Sequence, residues 1–405
     1  MKKIKLKIDK DYKLPFILCA IIFSMSVLGF IVFSFGDLDY KCSGAMGILM
    51  HNYFIKNVAL FYFLLGNSSM IFLVICVLVI IETIFYKKIP LKYNWMMWFI
   101  YLIIYAYWLY LKINGIITSK NLENDGTLGN FDFLVAPISH QIDAVVLFLF
   151  ELIVVISTTY YMRFVMIKNK KIEIHAYWKD AVKMILIVDL TYFIVIILKQ
   201  STGRGEYFWT NFEDIIGKIN WDSDHKYVKS VSWTKEFLDL ANHGVNLDNL
   251  KAAIINNINK KGWGNYPYTK WWEINGNFSH NLQYWYPINM FIKPDMSTMP
   301  KGWDIINFPS GHVVTAFSFI GYGSMFLYNR DVKKSWIKNS FTIVWILHIL
   351  MMMTMLVIGR VHWLTDVFFT AFLVPLMIIF TNYVFNKIEE KYLIRKNKKS
   401  QYISS

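Results

Sequence analysis

Eight runs of predominantly apolar residues punctuate the chain, at 15–35, 58–85, 94–112, 143–166, 179–199, 311–328, 341–358 and 363–386. Each is close to the ~20 residues that a helix rising 1.5 Å per residue needs to cross a hydrocarbon core of about 30 Å. The pattern predicts an all-α, polytopic transmembrane helix bundle of about eight spans. Trp and Tyr gather at the ends of the runs, as with Trp95, Trp98 and Trp108 in the third, where amphipathic rings anchor at a membrane interface. The first run follows the basic segment Met1-Lys2-Lys3-Ile4-Lys5-Leu6-Lys7. It is as long as a full span and no small-residue cleavage pattern follows, so it is read as a retained helix and not a signal peptide.

The polar segments orient the bundle. Cations concentrate at the N-terminus, at Lys87, Lys88 and Lys92, from Arg163 to Lys171, from Arg330 to Lys338, and in the tail from Lys387 to Lys399. With eight spans all five fall on one side, so both termini are expected in the cytoplasm. Residues 200–308 then form one long extracytoplasmic connection. Two helices are predicted inside it, one over Thr234–His243 stopped by Gly244, and one opened by Asp248 as N-cap and stopped by Gly262. An aromatic-dense stretch, Trp263–Phe291, follows as a packed cap or a headgroup-level surface. No internal repeat is present.

Composition changes this picture little. The chain of 405 residues is 56% hydrophobic and 17% charged, against about a quarter charged in an ordinary soluble domain. Its formal charge of +14 sits in the short connections between apolar runs, and no nucleic-acid partner is expected. Three cysteines, Cys19, Cys42 and Cys76, make neither a disulfide framework nor a metal knuckle.

Three polar clusters carry candidate chemistry, and the topology brings them to one membrane surface. The first is Lys199 to Arg204, at the end of the fifth run. The second is Phe308-Pro309-Ser310-Gly311-His312, entering the sixth. The third is Gly359-Arg360-Val361-His362-Trp363-Leu364-Thr365-Asp366, opening the eighth. His362 and Asp366 stand four apart, so on a helix they share a face and the carboxylate can fix the imidazole tautomer. His312 follows a Ser-Gly turn whose N–H groups can face an anion. Lys199, Arg204 and Arg360 supply positive charge suited to a phosphoryl group. Any one of these cations alone reads more simply as an interfacial anchor; their joint order and common side favour chemistry. Glu151, Asp189 and His348 lie within spans and are expected to face the bundle interior. Hydrogen bonding between helices explains them better than a transport path does.

These clusters resemble the type 2 phosphatidic acid phosphatase (PAP2) superfamily, in its bacterial membrane lipid phosphatase form. Pro309-Ser310-Gly311-His312 matches the second motif of that family, and His362-x-x-x-Asp366 the end of the third. The resemblance covers roughly residues 94–386. It implies a six-helix core made of 94–199 and 309–386, with 200–308 as a cap insert, 1–93 contributing two additional helices, and 387–405 as a basic tail. It implies His362 as nucleophile through a phosphohistidine, Asp366 orienting it, and His312 as general acid and then base. It also implies Lys199, Arg204, Ser310, Gly311 and Arg360 as phosphate ligands, with no metal or other cofactor. The expected substrate is a lipid phosphate: phosphatidic acid, phosphatidylglycerol phosphate or a polyprenyl diphosphate. A non-catalytic descendant binding headgroups or a protein partner is the alternative, and a transporter a more distant one. Two positions depart from the family pattern. Leu356 stands where the third motif usually has Arg, with Arg360 displaced toward His362, and Glu206 stands where the first motif has its second Arg.

Overall fold

A computed structural model describes residues 13–66, 70–125, 140–202, 204–224, 226–243, 246–261, 268, 270–273, 308–328 and 335–404. The basic segment Met1–Lys7, Gly203, the stopping glycines Gly244 and Gly262, most of Trp263–Phe291 and the cations at 330–334 lie outside them.

Helix occupies most of the described residues of every apolar run. Helix α1 is Lys13–Ser34. After a short helix α2, Leu38–Gly47, come α3, Tyr53–Gly66, and α4, Met70–Lys88. Then follow α5, Met97–Asp125, α6, His140–Tyr160, and α7, Tyr177–Thr202. Among the described residues seven helices are long and apolar enough to cross a membrane, as expected of a membrane protein. The predicted 58–85 run lies within one of them, residues 54–88, which combines α3 and α4.

The insert after α7 folds around an apolar core that also takes in Trp363. Strands β1, Gly217–Trp221, and β2, Val228–Trp233, pair antiparallel with Ile219 opposite Val231. Helices α8, Lys235–Asp239, and α9, Leu247–Lys261, pack on the hairpin. Phe212, Ile219, Val231, Phe237, Leu250 and Ile254 are buried together. Both predicted helices exist, and the hairpin that precedes them was not anticipated. Thr234 caps α8 by accepting the Phe237 N–H. At α9 the cap is Asn246, whose side chain accepts from Asn249 N–H, and not the expected Asp248.

The last helices are α10, Gly311–Phe326, α11, Ser335–Ile358, and α12, Leu364–Ser404. Helix α10 packs against α7 and α11, and α11 packs against α3. Helix α12 lies along both α1 and α7, so the two ends of the chain meet in the bundle.

The buried carboxylates Glu151 and Glu82 are both paired within the bundle. Glu151 accepts from Lys112 Nζ at 2.6 Å and Trp108 Nε1 at 2.9 Å, the interhelical bonding expected of it. Arg163 donates to Glu82 at 2.8 Å and to the Asn94 carbonyl at 3.0 Å, and the Tyr101 hydroxyl donates to Glu82 at 2.8 Å.

Helix α2 is the unexpected element. Its buried residues Asp39, Ser43 and Gly47 recur every four positions, so its inward stripe is polar, the reverse of an ordinary amphipathic helix. That stripe lies against α11 and α12.

Candidate active site

The site is built where α11 ends and α12 begins. Helix α11 stops in a left-handed turn at Arg360, φ 60°. This reversal lets the Leu356 carbonyl accept from both Val361 N–H at 3.1 Å and His362 N–H at 3.2 Å. A side chain in that conformation costs about 1–2 kcal/mol, and the Arg360 guanidinium is held firmly there. It donates to the Gly47 carbonyl at 3.0 and 3.2 Å and to Glu236 of α8 at 2.9 and 3.3 Å. The displaced arginine is therefore taken up by a carboxylate and a carbonyl in this arrangement. Leu356, in the position of the usual arginine, is wholly buried.

The turn delivers His362 to Asp366. His362 Nδ1 lies 3.3 Å from Asp366 Oδ2, which also accepts from Trp363 N–H at 3.1 Å. An ionised carboxylate only accepts, so Nδ1 carries the proton and the Nε2 lone pair is free. Burial, reinforced by the Lys199 and Arg204 cations, pushes the His362 imidazole well below its ordinary range and keeps it neutral. The second Asp366 oxygen accepts from Arg204 at 2.8 Å. Arg204 is buried at 1% exposure and also donates to Asp39 Oδ2 at 2.7 Å and Thr365 Oγ1 at 2.6 Å. Its guanidinium lies over the rings of Trp363, at 5.1 Å, and Tyr268, at 5.6 Å.

The second motif faces this pair. The His312 ring is 5.8 Å from that of His362, centroid to centroid, at 73°. It stands on α3, beside Phe63 at 4.9 Å and against Gly66, where a Cβ would lie 2.1 Å from His312 Cδ2. Only a glycine leaves room for the imidazole there. The Tyr192 hydroxyl donates to the Gly311 carbonyl at 3.0 Å and braces the first turn of α10.

Two helix N-termini thus converge, and they are treated differently. At α12 the first-turn N–H groups are consumed: Trp363 by Asp366, Leu364 by Ser43 at 3.1 Å, and Thr365 by Asp39 at 3.2 Å. At α10 Ser310 occupies the N-cap position and makes no capping bond. Its Oγ is buried without a partner, as are His312 Nε2, His362 Nε2 and Arg204 Nε. An unpaired buried polar atom is costly, and four in one neighbourhood form a site shaped for a polar ligand. Two are imidazole nitrogens, one is a hydroxyl and one a guanidinium N–H beside an open helix N-terminus, a set suited to a tetrahedral oxyanion.

Lys199 lies close enough to act electrostatically on both histidines, and it feels both Asp366 and Glu206 in turn. Asp39 and Thr365 join the site, and Ser43, Glu236 and Gly66 its frame, without having been singled out. Thr365 lay inside the third cluster, Glu236 in a predicted helix and Gly66 in a predicted span; Asp39 and Ser43 sit in a segment whose patterning gave no signal.

Residues 252–390 match the family model of the PAP2 superfamily. The Lys199–Arg204 cluster lies outside that match. Over 378 residues the chain is 25% identical to an uncharacterized protein of Mycoplasma capricolum subsp. capricolum, covering 90% of each chain and reaching well beyond the family segment. No solved structure matches it. Residues 252–390 contain both Pro309–His312 and His362–Asp366, and their match supports membership of the PAP2 superfamily.

Proposed function

We propose that this chain is a membrane phosphohydrolase that removes phosphate from a lipid phosphate through a phosphohistidine. The family match supports a phosphatase-type membrane protein. The observation that carries the finer reading is the set of unpartnered atoms, Ser310 Oγ, His312 Nε2, His362 Nε2 and Arg204 Nε, beside an ordered His362–Asp366 pair.

His362 Nε2 attacks phosphorus while Asp366 stabilises the charge that develops on the ring. The bond from phosphorus to the ester oxygen, or in a diphosphate to the bridging oxygen, breaks, and protonated His312 gives that oxygen its proton and is left neutral. Lys199, Arg204 Nε, Ser310 Oγ and the open first turn of α10 hold the phosphoryl oxygens as charge shifts among them. Water then gives a proton to His312 and attacks phosphorus, the bond to His362 Nε2 breaks, and inorganic phosphate leaves. Phosphatidic acid, phosphatidylglycerol phosphate and polyprenyl diphosphates all present the group this site handles. The charge pattern of the connections supports an extracytoplasmic site with both termini inside.

The test is phosphate release from these lipids by purified protein in EDTA, comparing wild type with His362→Ala. Activity that survives chelation and falls by at least 1,000-fold in the variant, roughly the loss typical of a covalent nucleophile, supports the reading. Equal release by both proteins sinks it. A second reading is favoured by the diversion of Arg360 to Glu236: a site that binds a headgroup phosphate without turning it over. It predicts saturable binding of phosphatidic acid vesicles and no trapped phosphohistidine.

A further inference from the structure

Asp39 belongs to α2, outside the segment matched by the family model and outside the helices that carry the three clusters. It is 1% exposed. Its Oδ2 accepts from Arg204 at 2.7 Å and from Thr365 Oγ1 at 2.5 Å, and its Oδ1 from Thr365 N–H at 3.2 Å and Ser43 Oγ at 3.4 Å. A carboxylate at a helix N-terminus is in the ordinary case a cap, and Asp39 does cap α12. The Arg204 bond goes further.

An arginine beside a lone carboxylate prefers two parallel N–H···O bonds. Here Arg204 gives Asp366 one bond, from NH1 to Oδ1, because NH2 is drawn to Asp39. Asp366 Oδ2 is thereby left to His362 Nδ1 and Trp363 N–H. Without the second carboxylate, Arg204 would close on both oxygens of Asp366 and compete with His362 for Oδ2. We infer that Asp39 is a positioning residue of the active site, holding Arg204 off the Asp366 oxygen that orients His362. The inference rests on the phosphohydrolase reading. It makes the N-terminal helices part of the catalytic apparatus and not an appendage to a six-helix core.

The experiment compares full-length wild type, Asp39→Asn and Ser43→Ala in detergent micelles with EDTA. Turnover is measured on the active lipid phosphate, and thermal midpoint with and without orthovanadate, a transition-state mimic. Ser43→Ala removes the Leu364 cap and leaves the Arg204–Asp39 bond, so it controls for loss of capping alone. The expected result is a fall in kcat of about 30-fold or more for Asp39→Asn, with Ser43→Ala within about threefold of wild type at a comparable thermal loss. Asp39→Asn within threefold of wild type, or equal losses in both variants, overturns the inference while the phosphohydrolase reading stands. If Asp39→Asn fails to fold, Asp39→Glu replaces it. The longer carboxylate preserves charge and cap and shifts Arg204, so a retained kcat overturns the inference and a loss supports it. A wild type that binds orthovanadate without turnover is read on the vanadate shift, which Asp39→Asn abolishes and Ser43→Ala retains; the reverse pattern overturns it. A wild type with neither turnover nor vanadate stabilisation removes both readings together.

Discussion

Gly66→Ala is the sharpest probe of the histidine pair. The added methyl would sit 2.1 Å from His312 Cδ2, 2.7 Å from Cγ and 2.9 Å from Cβ. To restore contact at 3.4 Å, the ring or helix α3 must retreat by about 1.3 Å. Cβ is fixed to the backbone of α10 and Cγ does not move when the ring turns about its own bond, so a ring flip of the imidazole does not relieve them. Overpacking of this kind costs about 1–3 kcal/mol of stability. A displacement near 1 Å in a reacting group costs about 100-fold in rate. The expected outcome is a modest drop in thermal midpoint and a fall of about two orders of magnitude in kcat on a lipid phosphate. The loss should depend on the leaving group. An aryl phosphate such as p-nitrophenyl phosphate expels a weakly basic oxygen that needs little protonation, so its turnover should fall much less if His312 is the acid. Phosphate release and product absorbance measure both substrates in one preparation. A Gly66→Ala protein with wild-type kcat on the lipid would refute the argument, and equal losses on both substrates would refute the acid role while leaving the steric one.

Two further perturbations test the frame. Burial works against the Glu236 charge, but Arg360, Lys56 and His51 outweigh it and hold the carboxyl below its ordinary value of 4.5. A depressed folded value means stability fully present above about pH 4.5 and lost as pH falls through the lower folded value. Glu236→Gln should therefore melt lower than wild type at neutral pH and flatten the acid limb of the midpoint profile; parallel profiles would count against it. Lys112→Met leaves Glu151, 1% exposed, with Trp108 alone. Because Lys112 keeps 30% exposure, the loss should fall below the about 3–5 kcal/mol of a fully buried pair. Phosphate release at a permissive temperature should stay within about threefold, and its abolition would return Glu151 to a functional role.

What could be read from the sequence follows from how local each signal is. The spanning helices were legible because 20 apolar residues in a row admit few other structures. The His362–Asp366 pair was legible because four residues of helix fix it without help from the rest of the fold. Helix α2 was not, since its buried stripe is Asp39, Ser43 and Gly47, and polar residues at helical spacing read as a solvated face until their partners are known. The hairpin was missed because strands of five and six residues carry too few alternations to stand out from a loop. The partner of Arg360 was hidden for a related reason. Its spacing suggested a phosphate contact if the chain turned there; the chain does turn, but Glu236, 124 residues earlier, claims the guanidinium. No local pattern reports a partner that distant.

The bond between Asp39 and Thr365 spans 326 residues, which has a consequence for biogenesis. At a translation rate of about 5–20 residues per second, roughly 16–65 s separate the emergence of its two ends. Through that interval α2 holds a carboxylate whose arginine and helix terminus are still to come. The nascent protein is in this sense a zymogen without a pro-segment. If the proposed phosphohydrolase reading holds, the site is complete only when the final helix inserts, so an incompletely translated copy left in the membrane would not attack the lipids around it.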